Sequence, residues 1–471
     1  MSIRLLTEIE VKGKGKGGKI LEKTICICIS KETMLQTREI EDRILSLIEN
    51  MMADWDLEGE EEVSVQENLV ADLSFSSVDF VQLFVSIESE FQQKLGFHDL
   101  LMANGQYIED LSVLELVDYV QQKLHLQPTN PIPSQPIKPS ISSYTNSDSQ
   151  LNLTTINYFQ TFIPSPHLRP DLATPKNQPA VFLLCPSRSG STLLRVILAG
   201  HPQLFAPPEL HLLTYNTLAQ RRAALSNDLN SHLLNGTIRA IMQIKGTDAQ
   251  TAQDLMRDLE GQNLTTKQFY KLLQQWLGSK ILVDKTPSYA YHLDILKRAE
   301  TEFTNPLYIH LVRHPYATIR SFTDAQLNRL IPFMQSEEFT SIEYAELAWL
   351  TCHQNILKLL QDVPPQRQFR IKFEDLVNQP QSTVNNLCNF LGLNFFSEML
   401  EPYQEQNQRM TDGVEVVSKM SGDLKFHLHQ GIDSHMAHRW QQYHSVDFLS
   451  DISTELAQTL GYSFPSIFAK K

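Results

Sequence analysis

The sequence predicts an α/β protein in which a parallel sheet flanked by helices follows a small all-α bundle. Two observations lead to this fold class. From Gln36 to Leu126, apolar residues recur every three or four positions, as they do on amphipathic helices. From Ala180 onwards, short apolar runs such as Ala180–Cys185 alternate with helical patterns, which is typical of the buried strands of a parallel sheet.

Length and charge limit the possible functions. The chain has 471 residues, 42% of them hydrophobic, which is enough for two domains that each have a core. Its formal net charge of −14 argues against a nucleic-acid partner. The negative charge is concentrated between Gln36 and Leu126, where there are 20 acidic and 4 basic residues. The nearly neutral remainder suits an enzyme that binds a polyanionic substrate.

The cysteines indicate neither a metal site nor a disulfide framework. They are odd in number, and only one pair is closely spaced; the five are Cys26, Cys28, Cys185, Cys352 and Cys388. The apolar run Ile25–Ile29 is too short for a signal sequence or a membrane span. We therefore expect a cytoplasmic protein with no metal ligands and no membrane span.

The first 126 residues divide into an arm and a bundle. Residues 1–35 carry the glycine-broken basic run Lys12–Lys19 and are predicted to be disordered. Residues 36–126 are predicted to form three helices. Their apolar faces are Ile40, Ile44, Leu47, Ile48 and Met51; Phe80, Leu83, Phe84, Ile87 and Phe91; and Val113, Leu116, Val117, Val120 and Leu124. Ser112 and Glu115 form a capping box before the third helix.

The segment Ala71–Phe84 (ADLSFSSVDFVQLF) resembles the phosphopantetheine attachment motif of acyl carrier proteins. The resemblance implies that residues 36–126 are a carrier domain and that 4′-phosphopantetheine is attached to Ser77. Where the family commonly has aspartate and leucine around this serine, the sequence has Ser76 and Val78. The alternative that Ser77 is an ordinary helix cap therefore stays open.

A linker and a larger domain follow. Residues 127–172 are rich in proline and then in serine, and they are predicted to be a tether between the two domains. Residues 173–471 are predicted to be the α/β domain. Its first apolar run, Ala180–Cys185, enters the turn Pro186–Thr192 (PSRSGST) and then a helical pattern. Free backbone N–H groups at such a helix start bind anions.

The side chains of this turn strengthen the prediction of an anion site. Arg188 adds a planar cation, and hydroxyl donors come from Ser189, Ser191 and Thr192. Gly190 stands where a nucleotide P-loop has its lysine, which disfavours the alternative of a P-loop kinase.

The turn resembles the 5′-phosphosulfate loop of sulfotransferases that use 3′-phosphoadenosine 5′-phosphosulfate (PAPS). Two later stretches match the same family, Ile281–Leu293 with Lys285 and Pro306–Phe322 with Arg313 and Ser321. The resemblance implies a P-loop-like sulfotransferase fold. It also implies that the turn holds the phosphosulfate, while Arg313 and Ser321 hold the 3′-phosphate.

Sulfonate transfer needs a base for the acceptor hydroxyl and a cation for the leaving phosphate. By resemblance to carboxylate-dependent sulfotransferases, Glu209 in the run Ala206–Leu213 (APPELHLL) is the predicted base. His211 is the alternative, because a neutral imidazole is poised near pH 7. Lys285 is the predicted cation, assisted by Arg188.

The pairing of the two domains resembles the carrier–sulfotransferase cassettes of modular polyketide synthases. It implies O-sulfonation of a β-hydroxyacyl chain on a carrier. The implied partners are polyketide or fatty acid synthase modules and a phosphopantetheinyl transferase. Because the sequence ends at Lys471, we expect either a separate thioesterase or a product that keeps its sulfate.

Two alternatives remain at this stage. In the first, the enzyme acts on a free lipid, glycolipid or small alcohol, and the carrier is a docking module. In the second, the chain is a non-catalytic carrier or interaction protein whose second domain only binds a nucleotide.

Overall fold

The structure is a computed structural model whose chain divides into two compact units, Met1–Ser143 and Tyr144–Lys471. The residues that it describes are 5–14, 20–29, 31–53, 63–73, 75, 77–97, 100, 102–103, 106–107, 110–125, 151–169, 174–226, 231–336, 338–414, 426, 430–442 and 448–464.

The backbone of the first unit begins with two antiparallel strands, β1 (Leu5–Lys14) and β2 (Ile20–Ile29). We expected residues 1–35 to be disordered because of their glycine-broken basic run. Before that run, Ile9 and Val11 alternate with charged residues, and after it the isoleucine-rich run Ile25–Ile29 is apolar; both patterns favour strands.

The described part of the first unit continues with the helices α1 (Lys31–Ala53), α2 (Ser77–Glu90) and α3 (Val113–His125). Two short strands, β3 (Met102–Ala103) and β4 (Gln106–Tyr107), pair between the second and third helices. The predicted apolar faces supply the buried side chains, which include Ile40, Ile44, Ile48, Phe80, Leu83, Phe84, Ile87, Val113, Leu116, Val117 and Val120. The predicted capping box is present, with Glu115 N donating to Ser112 Oγ over 3.2 Å and Ser112 N donating to Glu115 Oε2 over 2.9 Å.

The second unit is built on a five-stranded sheet. Its strands are β5 (Val181–Leu184), β6 (Leu204–Phe205), β7 (Ile281–Lys285), β8 (Leu307–Val312) and β9 (Gln368–Lys372). All neighbouring pairs are parallel, in the order β6-β7-β5-β8-β9. After the central strand β5, the chain therefore adds β6 and β7 on one side of it and then β8 and β9 on the other. In open α/β sheets, ligands bind at the carboxyl ends of the strands at such a switch point.

Helices cover the sheet, as the alternation of apolar runs and helical patterns predicts. They are α4 (Leu153–Phe162), α5 (Ser191–Ala199), α6 (Leu218–Leu225), α7 (Asn235–Lys245), α8 (Ala249–Gly261), α9 (Thr266–Leu277), α10 (Leu293–Glu302), α11 (Pro315–Asp324), α12 (Leu327–Leu330), α13 (Ser341–Leu360), α14 (Phe373–Asn378), α15 (Pro380–Leu391) and α16 (Asp451–Thr459). Among the described residues, no helix is both long and apolar enough to cross a membrane.

The core has one layer on each side of the sheet, because side chains alternate along each strand. Val181 and Leu183 of β5 pack with α5 and α15 in one layer. Phe182 and Leu184 pack in the other layer, which contains Trp349 of the central helix α13.

Helix α4 lies within the range that we assigned to the linker, 127–172. Its side chains Ile156 and Phe159, with Leu151 before the helix and Ile163 after it, are buried in the core of the second unit. Their spacing of three to five positions is a helical pattern. It is inconspicuous in the sequence because the segment is short and follows a proline-rich stretch.

Candidate active site

The predicted anion loop joins the central strand β5 to helix α5, and Ser191 is the first helical residue. Two residues in the loop have left-handed backbones, Arg188 with φ of 66° and Gly190 with φ of 83°. A Cβ on Gly190 would lie 3.3 Å from Cγ of the Phe373 ring and would overlap two other ring carbons. Only glycine meets both demands, the backbone angle and the close approach of the ring.

The hydroxyl groups of the loop point into the protein. Ser189, Ser191 and Thr192 are all buried. Ser189 Oγ is fully buried and, among the described residues, has no hydrogen-bond partner. A buried hydroxyl without a partner at a helix N-terminus is available to donate a hydrogen bond to a ligand.

Arg188 connects the loop to the two residues predicted to hold a 3′-phosphate. Its side-chain Nε donates to Ser321 Oγ over 3.0 Å, and its backbone oxygen accepts from Arg313 Nη1 over 3.1 Å. Ser321 belongs to α11, and Arg313 follows the end of β8. The guanidinium of Arg313 also lies over the Phe373 ring, 4.5 Å from its centroid. Phe373 therefore supports both the loop glycine and the arginine, a role that the sequence did not predict.

The predicted base and the predicted cation form an ion pair. Lys285, the last residue of β7, donates from Nζ to Glu209 Oε1 over 2.7 Å. The lysine side chain is 3% exposed and the glutamate side chain 23% exposed. His211 Nε2 lies 3.3 Å from the other carboxylate oxygen, without the alignment of a hydrogen bond.

The charges around Glu209 decide its protonation. Burial by itself raises the pKa of Glu209, but the charge of Lys285 and the contact with His211 outweigh burial and hold the pKa well below its usual range. Glu209 is therefore a carboxylate at neutral pH. It is a weak base for as long as Lys285 stays bound to it.

The ion pair and the anion loop lie at the same edge of the sheet. Lys285 is paired with Leu183 across the parallel strands β7 and β5, two residues before Cys185 starts the loop. Burial raises the pKa of the Cys185 thiol to about 12, while a hydrogen bond to Ser191 and the charge of Lys285 act in the opposite direction. The thiol is therefore close both to Ser191 of the loop and to the ion pair.

A buried carboxyl group, which the sequence analysis did not single out, organises the residues beneath the ion pair. Asp284 accepts hydrogen bonds from the hydroxyl groups of Tyr270, of Thr286 over 2.8 Å and of Tyr289 over 3.1 Å. Burial raises the pKa of Asp284, and the three hydroxyl groups oppose the rise. The sequence signal is the aspartate that directly precedes Lys285 at the end of an apolar strand.

The structure thus brings together all ten candidate residues of the second unit. They form two neighbouring groups, Arg188, Ser189, Gly190, Ser191, Thr192, Arg313 and Ser321 in one and Glu209, His211 and Lys285 in the other. Ser77 is the first residue of α2, where the carrier resemblance expects it, but its side chain lies outside the described part of the chain.

Comparisons with known proteins identify the class to which this fold and site belong. Residues 179–398 match the profile of the sulfotransferase family. The chain is 40% identical to the sulfotransferase domain from the curacin biosynthetic pathway, with a TM-score of 0.57, 62% of this chain covered and 100% of that domain. It is 35% identical to the sulfotransferase domain from the Synechococcus PCC 7002 olefin synthase, with a TM-score of 0.57, 63% of this chain covered and 100% of that domain.

No curated protein sequence matches the chain. The two solved domains are matched over their full length, and the chain therefore belongs to the sulfotransferase family. It is a sulfotransferase enzyme and not a non-catalytic interaction protein.

Proposed function

We propose that the enzyme transfers the sulfonate group of PAPS to a hydroxyl group of an acyl chain that is bound to a carrier domain. The observation that carries this proposal is the contact of 2.7 Å between Lys285 Nζ and Glu209 Oε1 beside the anion loop. A carboxylate and an ammonium group held at this edge of the sheet are a base and a cation for an in-line transfer.

The residues of the loop fit the anionic donor. Ser189 Oγ is buried without a partner among the described residues, and the backbone N–H groups at the start of α5 are anion donors. Arg313 and Ser321 both contact Arg188 and bind the second phosphate in this proposal. PAPS supplies the activated sulfonate and leaves as 3′-phosphoadenosine 5′-phosphate (PAP).

The chain's own groups move one proton and stabilise one charge. Glu209 accepts the proton of the acceptor hydroxyl as the acceptor oxygen forms its bond to sulfur. Lys285 stabilises the negative charge that grows on the phosphate oxygen as the bond from sulfur to that oxygen breaks. The sulfonated acceptor and PAP are the products, and the proton stays on Glu209 until the site opens to water.

The ion pair explains how a strongly acidic carboxyl group can act as a base. While Lys285 holds Glu209, the pKa of the carboxyl group lies below its usual range. When Lys285 turns toward the bridging oxygen of the donor, Glu209 loses its main stabilising charge and its pKa rises. The base then becomes effective only once the donor is bound.

His211 is the weaker candidate for the base. One ring nitrogen contacts Glu209, and the other lies 3.3 Å from Ser288 Oγ. The His211 side chain is 8% exposed, compared with 23% for Glu209. The carboxylate is therefore the group that an acceptor reaches more readily.

The acceptor is proposed from the first unit and from the relatives. Three helices with Ser77 at the start of the second are the arrangement that the carrier resemblance implies, with 4′-phosphopantetheine on Ser77. The two matched sulfotransferase domains come from a curacin pathway and an olefin synthase. We infer that a polyketide or fatty acid synthase module delivers a β-hydroxyacyl group, that a phosphopantetheinyl transferase primes the carrier, and that a separate thioesterase acts afterwards.

Intact-protein mass spectrometry tests this proposal. The full chain is treated with a phosphopantetheinyl transferase and 3-hydroxyacyl coenzyme A, and then with PAPS. We expect one acylated arm on the wild-type chain, none on Ser77→Ala, and one added sulfonate that Glu209→Gln does not acquire.

Two outcomes would contradict parts of the proposal. If the wild-type chain acquires no arm but sulfonates a free 3-hydroxyacyl pantetheine thioester, the acceptor is a free molecule and the carrier assignment is wrong. If Glu209→Gln acquires the sulfonate as fast as the wild-type chain, Glu209 is not the base.

A further inference from the structure

Helix α7 touches the backbone of the proposed base through a residue that has no side chain. Gly236, in the first turn of α7, is buried. A Cβ built on it would lie 2.8 Å from the carbonyl carbon of Glu209 and closer still to the carbonyl oxygen. Non-bonded carbon atoms approach favourably to about 3.5–4.0 Å, so that any larger residue must displace Glu209 or the helix.

The need for glycine here is steric and not conformational. Gly236 has an ordinary helical backbone and is absent from the residues with positive φ. Glycine inside a helix costs about 1 kcal/mol relative to alanine. The first turn of α7 therefore carries a residue that weakens the helix and allows it to approach Glu209 closely.

The rest of the segment Glu209–Leu213 is held from other directions. Arg221 Nε donates to Leu210 O over 2.9 Å. The hydroxyl of Tyr289 accepts from Leu212 N over 2.8 Å and from Leu213 N over 3.2 Å, and it donates to the buried Asp284.

These contacts hold a strained backbone in place. His211, at the centre of the segment, has a left-handed φ of 51°, which is uncommon for a residue other than glycine. Such strain persists only where surrounding contacts over-determine the conformation.

We propose that Gly236 and Tyr289 are positioning residues for sulfonate transfer, which hold Glu209–Leu213 from two sides so that the Glu209 carboxylate meets Lys285. The inference rests on the proposed role of Glu209 as the base. Gly236 sets how closely the Glu209 backbone can approach α7, and Tyr289 fixes the far end of the segment.

The first test replaces Gly236 by alanine in the full chain. Gly261→Ala is the matched control, because Gly261 ends helix α8 with nothing within 4 Å of its added Cβ. Displacement of a catalytic group by about 1 Å costs about 100-fold in rate. With a 3-hydroxyacyl pantetheine thioester as acceptor, we expect kcat of Gly236→Ala to fall about 100-fold, and PAP affinity measured by calorimetry to stay within twofold. Gly261→Ala should match the wild-type enzyme in both.

A double-mutant cycle separates positioning from general damage. If Gly236 acts through Glu209, kcat of the double variant Gly236→Ala/Glu209→Gln should lie within about twofold of kcat of Glu209→Gln alone. An equal 100-fold loss in both backgrounds would overturn the proposal. The same double-mutant cycle can be measured without an acceptor, from the rate of PAPS hydrolysis, in which water replaces the acceptor hydroxyl.

Tyr289→Phe keeps the test decisive if Gly236→Ala does not fold. It removes one hydroxyl and keeps the ring, and we expect a loss of kcat that again disappears in the Glu209→Gln background, with unchanged PAP affinity. Wild-type kcat in Tyr289→Phe would overturn its positioning role. Full activity of Glu209→Gln itself would instead contradict the proposed base, so that the two failures are distinguishable.

Discussion

The loop Cys185–Thr192 and the segment Glu209–Leu213 lie side by side and are built in different ways. Each follows a strand of the sheet, and each contains a non-glycine residue with a left-handed backbone, Arg188 in one and His211 in the other. The anion loop takes its shape from its own small residues and the helix that it starts, and the distant Phe373 packs against it. The base segment takes its shape from residues far along the chain, Gly236 and Tyr289 among them.

The difference shows which parts of an active site can vary independently. A donor common to a whole family can be bound by a contiguous motif, because backbone N–H groups and a glycine supply most of the contacts. A base must meet both the donor and an acceptor that varies between enzymes. Its support therefore comes from separate elements, Gly236 from helix α7 between β6 and β7, and Tyr289 from the short 3-10 helix after β7.

One buried arginine connects the two regions. Arg195 of α5 donates from Nη1 to Ala206 O over 3.0 Å and to Arg409 O over 2.7 Å. Burial, reinforced by the charge of Arg239, lowers the pKa of Arg195 to about 9. Helix α5, which follows the anion loop, thus also holds Ala206, three residues before Glu209.

The largest expected effect comes from removing the cation that both regions share. In Lys285→Met, kcat should fall about 1,000-fold, because a donor that stabilises the charge of the transition state is worth about 100- to 1,000-fold. Steady-state kinetics with PAPS measure the loss. Lys280→Met, an exposed lysine just before β7, is the control and should retain wild-type kcat. A loss below tenfold in Lys285→Met would mean that another group neutralises the leaving phosphate.

The next effect should be confined to the donor loop. Gly190→Ala forces a Cβ into the Phe373 ring, which also supports Arg313, and so PAP affinity should fall by about 10- to 100-fold, or about 1.4–2.8 kcal/mol. Calorimetric titration with PAP measures the change. Gly246→Ala has a similar left-handed φ of 63° in open space, and it should lower Tm without changing PAP affinity. Equal PAP affinity in both variants would show that the loop tolerates a displaced Phe373.

A smaller effect should separate donor binding from the chemical step. Ser321→Ala removes the acceptor for Arg188 Nε, and a hydrogen bond to a charged group is worth about 1.5–3 kcal/mol. The KM for PAPS should rise about tenfold or more while kcat stays within threefold. Thr323→Ala on the same helix loses only a bond to the Ile319 carbonyl and is the control. A large fall in kcat for Ser321→Ala would contradict a purely donor-binding role.

The smallest expected effect is a change of thermal stability with pH, which arises in the sheet beneath both regions. His310 of β8 and His353 of α13 are fully buried with His310 Nε2 and His353 Nδ1 3.0 Å apart. Burial, reinforced by the charge of Arg370, lowers the pKa of His353 to about 3. Burial also lowers the pKa of His310 well below its usual value, with the charges of His353 and Arg370 acting in the same direction.

The sign of the resulting pH dependence follows from these directions. Above the unfolded pKa of about 6.5, both states are neutral and stability is complete; as the pH falls from there toward the folded pKa, only the unfolded state takes up protons and stability is lost. Tm should therefore decrease between pH 7 and pH 5, and less so in His310→Leu/His353→Leu. Calorimetry at the two pH values measures both decreases, and an equal decrease in the two proteins would contradict the assignment.

The sequence by itself determined the parts of this protein that depend on a few neighbouring residues. Helical periodicity identified the apolar faces of α1, α2 and α3, and the capping box of Ser112 and Glu115 identified a helix start. The run from β5 through Gly190 into α5 predicted a sheet edge with an anion site. Each of these features is set by side-chain alternation or turn chemistry within about ten residues.

Tertiary structure alone decided what meets across the fold. In the sequence, Gly236 is only a glycine that destabilises a helix; the structure shows that it lets α7 contact the Glu209 backbone. The sequence of helix α4 was assigned to the linker, and the structure shows that Phe159 is buried in the core of the second unit. Lys285 and Glu209 are 76 positions apart, and their contact exists only because parallel strands end at one edge of the sheet. Close approach and burial depend on all elements at once, and no local pattern encodes them.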